Sequence, residues 1–281
     1  MSVAQRLPTW TWSALVLLLL IAVTGTLRPS FFSATNLTNI VASNAPMGIV
    51  AVGMTLVILL GGIDLSVGSL LAFAAAVGIL GLNASSSFVA ALAITLAIAT
   101  AAGALHGLLI GYAKVAPFIA TLGTLVAYRS AAVLLADGGN IPAEPNTIFA
   151  ALGGGIPIPG TDIARGRAVV PYQVPYAGLA FVLIAVIGQV LVTRTVFGRK
   201  VVAVGSNETA ARFSGMHVER VQLATYATLG LCVGIAAVLL AADFQSINTA
   251  NSGTLLELDA IAAVVIGGTR MSGGRGSVIG T

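Results

Sequence analysis

Residues 65–113 form a run of 49 positions without a single Asp, Glu, Lys or Arg. Four more such runs cover 7–27, 29–63, 168–193 and 221–242. A helix that crosses a bilayer needs about 20 predominantly apolar residues, so each run can hold one span and the longest can hold two. In the longest, Asn83-Ala84-Ser85-Ser86-Ser87 supplies the turn between them. Only 8% of the chain is charged, against about 25% in a soluble domain, and 57% is hydrophobic. This excludes a soluble enzyme, which needs charge to cover its surface, and a disordered chain, which needs low hydrophobicity. The sequence predicts an all-α, polytopic membrane helix bundle in a single domain, 1–281. The spans fall at about 10–27, 42–60, 66–82, 88–112, 117–135, 176–192 and 222–242. An eighth apolar stretch, Ala260–Ile266, is too short to cross as a helix, at about 1.5 Å per residue against a core of about 30 Å. The first span follows Arg6 and lacks a good small-x-small cleavage pattern, so it reads as a retained helix rather than a signal peptide.

Lys and Arg near span ends set orientation. With the N-terminus inside, the inner segments hold Arg6, Lys114, Arg194, Arg199, Lys200, Arg212, Arg220, Arg270 and Arg275, and the outer ones only Arg28, Arg165 and Arg167. The basic balance is therefore topological and gives no support to nucleic-acid binding. The single Cys232 rules out an internal disulfide framework and a Cys-based zinc site. With His106 and His217 as the only histidines, the chain shows no catalytic triad, no metal motif and too few links for a proton relay. His106 has no ligand partner at sequence spacing and reads as a packing residue. Arg129 reads as snorkelling or capping a helix end.

Three features stand out. The outer loop 136–175 carries six prolines and reads as an irregular surface segment. The inner loop 193–220 is the most charged stretch. In it, Ser206 or Asn207 caps a short helix, Glu208 favours its N-terminal dipole and Gly215 ends it. Such a stub is unstable alone and must pack on something, either the chain's own inner face or a partner. Finally, two glycine-rich breaks interrupt apolar runs: Gly61-Gly62-Ile63-Asp64-Leu65-Ser66-Val67-Gly68-Ser69 and Gly267-Gly268-Thr269-Arg270-Met271-Ser272-Gly273-Gly274. Broken helices expose backbone groups to a polar solute, and Asp64 near hydrocarbon needs a partner, a watery path or an interfacial position. Aligning the double glycines places Asp64 opposite Arg270, so the two charges are expected to lie close. The second break lacks the Gly-Lys-Ser/Thr of a phosphate loop.

The stretch Gly53-Met54-Thr55-Leu56-Val57-Ile58-Leu59-Leu60-Gly61-Gly62-Ile63-Asp64-Leu65-Ser66-Val67-Gly68-Ser69 resembles the signature of the ribose-type permease family, the membrane subunits of bacterial ATP-binding-cassette importers for monosaccharides. That family falls within a larger group that includes branched-chain amino acid permeases. Pro117–Thr124, Phe197–Gly215 and Glu257–Thr269 agree in order, so the resemblance runs from about Asn36 to the end.

It implies a multi-pass protein of the bacterial inner membrane, N-terminus cytoplasmic, that moves a pentose or hexose. Its implied partners are cytoplasmic ATPase subunits, a periplasmic sugar-binding protein and a second permease subunit, in a homodimer or heterodimer. It also implies no catalytic residue and no cofactor on this chain, ATP and Mg2+ being bound by the ATPase. The coupling loop would carry Gly198, Arg199, Gly205, Asn207, Glu208, Ala210, Ala211, Arg212 and Gly215. The translocation path would carry Gly61, Gly62, Asp64, Ser66, Gly68, Ser69, Gly267, Gly268 and Thr269. Family members have about ten spans, so about eight membrane segments are expected here and the chain reads as truncated relative to them. A branched-chain amino acid permease of the same class and an ion-coupled secondary transporter are the alternatives. Uptake that needs internal ATP and survives a protonophore separates the first reading from the last.

Overall fold

A computed structural model describes residues 10–137, 139–165 and 168–281; Arg6 and Arg167, counted in the charge bias, lie outside them. Eight helices account for the predicted apolar segments: α1 (Trp10–Leu27), α2 (Ala34–Leu59), α3 (Val67–Ser85), α4 (Phe88–Gly111), α5 (Pro117–Leu135), α7 (Tyr176–Arg194), α10 (Val218–Phe244) and α11 (Leu256–Ile266). Six of these, α2 to α5, α7 and α10, are long and apolar enough to cross a membrane. Helix α2 starts well before the expected 42 because the Ser33 hydroxyl accepts from Asn36 N and caps it.

The core forms where α4 and α10 pack at backbone distance through small residues, as membrane helices do. A Cβ on Gly107 would collide with Leu223 Cα, and one on Gly103 or Gly230 with a backbone carbonyl oxygen of the facing helix. Helices α2 and α3 complete this core, with Ile49, Met54, Leu56, Leu70, Tyr226 and Leu229 essentially inaccessible.

The loop 136–175 corrects the expectation of an irregular segment. It holds β1 (Asn140–Pro142), a short helix α6 (Thr147–Leu152), and a hairpin of β2 (Gly155–Arg165) and β3 (Ala168–Pro175). Prolines are tolerated because each strand of the hairpin has a free edge. Strand β1 pairs antiparallel with β4 (Ser246–Asn248), just beyond α10. These strands mark one end of the bundle. The other end carries α8 (Val196–Ser206), which the sequence reading missed, and α9 (Glu208–Phe213).

The last described segment runs between the two ends. From β4 it passes through the loop 249–255 and the 11-residue α11, then reaches Gly274, whose N–H donates to Leu59 O at 2.9 Å. Ala260–Ile266 alone is too short, as expected; an irregular stretch makes up the distance. Arg129 holds that stretch, its Nη1 donating to Thr249 O (2.8 Å) and Ser252 O (2.9 Å). Arg129 thus caps loop carbonyls inside the bundle instead of snorkelling outward.

Candidate functional site

The first break begins where α2 stops at Leu59. Gly61 adopts φ +88°, a conformation that favours glycine, and Gly62 leaves room for the Tyr226 hydroxyl, into which a Cβ would collide. The chain then runs non-helically to Ser66. Asp64 Oδ1 accepts from Ser66 N at 2.8 Å and from Ser66 Oγ at 2.7 Å, an Asx turn that leads into α3. The other oxygen, Oδ2, lies 3.0 Å from His106 Nδ1, and His106 Nε2 lies 2.8 Å from Thr124 Oγ1. Asp64 is 2% exposed and His106 fully buried. The expectation that Asp64 meets Arg270 is therefore corrected. Arg270 is exposed, and the carboxylate is taken by His106 and Ser66.

This pair was invisible in the sequence because its members are 42 positions apart. The available signal was Gly103 and Gly107 bracketing His106. They press that face of α4 onto α10 and leave the imidazole facing inward. A buried carboxylate costs several kcal/mol unless it is paired and hydrogen-bonded, and here all three donors are supplied. The Asp64–His106–Thr124 chain of contacts can satisfy its atoms in two proton arrangements. With a neutral imidazole, Nδ1–H donates to Asp64 and Nε2 accepts from the Thr124 hydroxyl. With an imidazolium, both nitrogens donate, and Thr124 turns its proton to Ala120 O or Thr121 O, each 3.1 Å away.

Further along the chain, Ser69 Oγ donates to Ser66 O at 2.8 Å, and Gly68 packs against Gly253 O and Glu257 Oε2. The loop 249–255 thus approaches the start of α3 at a glycine on each side. The second break also meets the first, though through different residues than expected. Gly267 packs on Gly280 and Thr269 on Gly276, whereas Ser272 and Gly273 approach Gly61. A Cβ on Gly273 would lie 3.0 Å from Gly61 N.

The inner loop closes the arrangement. Thr195 Oγ1 accepts from Gly198 N and caps α8. Asn207, not Ser206, caps α9, its Oδ1 accepting from Ala210 N at 2.9 Å. Gly215 ends the turn at φ +77°. Arg212 bonds Glu219 and, at i−4, Glu208, and those carboxylates raise its guanidinium above its ordinary pKa. Lys114 Nζ also reaches Glu219, at 3.2 Å. Ala211 is buried, whereas Phe213 is 88% exposed at the tip of α9. Near Gly205, α8 touches α2 at backbone distance: a Cβ there would collide with Leu59 O and lie 3.0 Å from Gly274 N. Leu59, Gly205 and Gly274 therefore join the first break, the inner loop and the second break at one point. Among the described residues, no three His, Cys, Asp or Glu side chains cluster as metal ligands would.

Residues 36–281 match the family model described as the permease component of branched-chain amino acid transport systems. The chain is similar to the ribose import permease protein RbsC of Escherichia coli K12, 37% identical over 96% of this chain and 80% of that protein. It is similar to RbsC of Bacillus subtilis 168, 39% identical over 94% and 78%. It is also similar to the xylose transport system permease protein XylH of Escherichia coli K12, 32% identical over 98% and 82%. No solved structure matches it significantly.

Proposed function

The chain belongs to the family of permease components of branched-chain amino acid transport systems, and on that footing we propose that it is the membrane subunit of an ATP-driven importer whose cargo is a monosaccharide. The relatives that carry a sugar in their names, ribose and xylose, support the cargo class. A neutral sugar needs hydrogen-bond partners and little net charge, which suits a path of glycine backbone, Ser66, Ser69 and an Asp64 whose oxygens are already hydrogen-bonded within the chain. The N-terminus faces the cytoplasm, as the excess of Lys and Arg at the α8–α9 end supports.

The observation that carries the reading is the Leu59–Gly205–Gly274 junction. Backbone-to-backbone contacts there join the inner loop to both broken segments, so a displacement of the loop bears directly on them. A cytoplasmic ATPase grips α9, with Phe213 as the apolar anchor and Arg212 and Glu208 at the rim. ATP-driven closure of the ATPase pair then displaces the junction and opens the path. The strand end receives a periplasmic binding protein, and a second permease subunit completes the assembly.

The test is uptake into proteoliposomes containing the complex and internal ATP. Glu208→Lys reverses the charge facing Arg212, and Gly215→Val forces a β-branched residue into a left-handed conformation at about 1–3 kcal/mol. Both variants should keep ATP hydrolysis while uptake falls about fivefold or more, the scale of a lost coupling energy. Normal uptake in both would remove the docking role of the loop. Phe213→Ala should weaken co-purification of the ATPase without lowering permease yield. A well-packed aromatic anchor contributes about 2 kcal/mol or more to an interface, and its exposed face makes no fold-stabilising contact to lose.

A further inference from the structure

A cavity of about 290 Å3 opens beside the junction, at the α9 end of the bundle. Its walls come from the first break (Gly61, Gly62), the α4–α5 turn (Lys114, Val115), α9 (Glu208) and α10 (Gln222, Tyr226). These are the parts that must shift against one another during transport, so an occupant would bear on their movement. Resting on the importer reading, we propose that this cavity is a cytoplasmic product site: it binds the imported monosaccharide after release and holds the transporter in its resting arrangement.

Three observations point to that ligand class. The cavity, at about 290 Å3, sits at the edge of the roughly 300–1,000 Å3 typical of small-molecule sites, which suits one sugar ring. Both charges that line it are already neutralised from outside, Lys114 by Glu219 and Glu208 by Arg212, so an ion gains nothing there. Third, Gln222 Oε1 is a buried acceptor with no hydrogen-bond partner among the described residues. A buried acceptor left unmade costs about 1–3 kcal/mol, and a sugar hydroxyl satisfies it once the Gln222 side chain turns from Gly111 toward the cavity. Tyr226, 1% exposed, closes the back wall with its hydroxyl at Gly62. A sugar bridging Gln222 on α10 and the glycine break is bound only while these walls stay together. By linkage it opposes the movement that separates them.

The consequence is inhibition by internal product. Proteoliposomes holding the permease with its ATPase, supplied with binding protein outside and ATP inside, are compared empty and preloaded with ribose or xylose, whichever the complex takes up. Preloading should slow initial uptake about fivefold or more, within the usual range of a coupling between two sites. Gln222→Leu, which keeps the bulk and removes the acceptor, should bring the preloaded-to-empty ratio to unity, and so should Val115→Phe, which fills the cavity. Equilibrium dialysis of the same radiolabelled sugar against the detergent-solubilised complex without binding protein should show binding that both variants lose. Equal uptake into preloaded and empty vesicles overturns the product site and leaves the importer standing. Inhibition that persists in both variants also overturns it. Failure to take up either sugar removes the importer reading and this one with it.

Discussion

Gly205→Val is expected to cut sugar uptake about fivefold or more while the proposed ATPase partner stays attached. The added Cβ would enter the space of the Leu59 carbonyl oxygen, and the neighbouring Gly274 amide lies 3.0 Å from it. Neither is the flexible end of a side chain, so relief requires α8 to separate from α2. Overpacking a tight contact costs about 1–3 kcal/mol, and separation here also endangers the Gly274 N–H to Leu59 O bond. Helix α9 lies beyond Asn207 with its own cap and its Arg212–Glu219 tie to α10, so the surface proposed above to dock the ATPase persists. The signature is therefore a complex that co-purifies with its ATPase and hydrolyses ATP with uptake reduced by about fivefold or more. Gly123→Ala is the control: within this subunit a Cβ there meets nothing within 4 Å, and alanine favours a helix. Retention of uptake in Gly205→Val would show that the junction does not transmit movement.

How much of this was legible in the sequence depends on the range of the interactions. The spans were, because charge-free runs of 20 residues have few fates in a chain with so little charge. Asn207, Glu208 and Gly215 were as well, because capping and dipole preferences act within one turn. What escaped was set by contacts between distant segments. His106 looked partnerless since Asp64 lies on another segment. The pairing of β1 with β4 depends on α10 delivering Ser246 beside Asn140–Pro142, and no local pattern of prolines reveals that. The second break is legible as a break, but the double-glycine alignment sets Arg270 against Asp64, whereas Ser272, Gly273 and Gly274 are the residues that approach the end of α2 and Gly61. Tyr226 and Gln222 gave no signal at all, being ordinary residues of an apolar helix until the first break is folded against them.

The Asp64–His106 pair should behave as one unit under mutation. His106→Leu leaves Asp64 with only its two Ser66 donors in a site 2% exposed. Asp64→Leu leaves His106 Nδ1 and two Ser66 donors unmet. Removing one partner of a buried pair costs about 3–5 kcal/mol. At about 2–4 °C per kcal/mol for a chain of this size, each single variant should lose on the order of 10 °C in apparent Tm in detergent. The double variant Asp64→Leu/His106→Leu is expected to recover part of that loss, because it removes the buried carboxylate and imidazole together and leaves only the two Ser66 donors unmet. Uptake should not recover with it. Asp64 Oδ1 builds the turn that sets Ser66 at the start of α3, and the double variant leaves that turn without its acceptor. Stability partly restored without transport would separate the pair's two roles, satisfying each other's buried polar atoms and fixing the non-helical backbone beside the glycines. Additive losses in the double variant would mean that the two side chains act independently, and that the break is held by the surrounding helices alone.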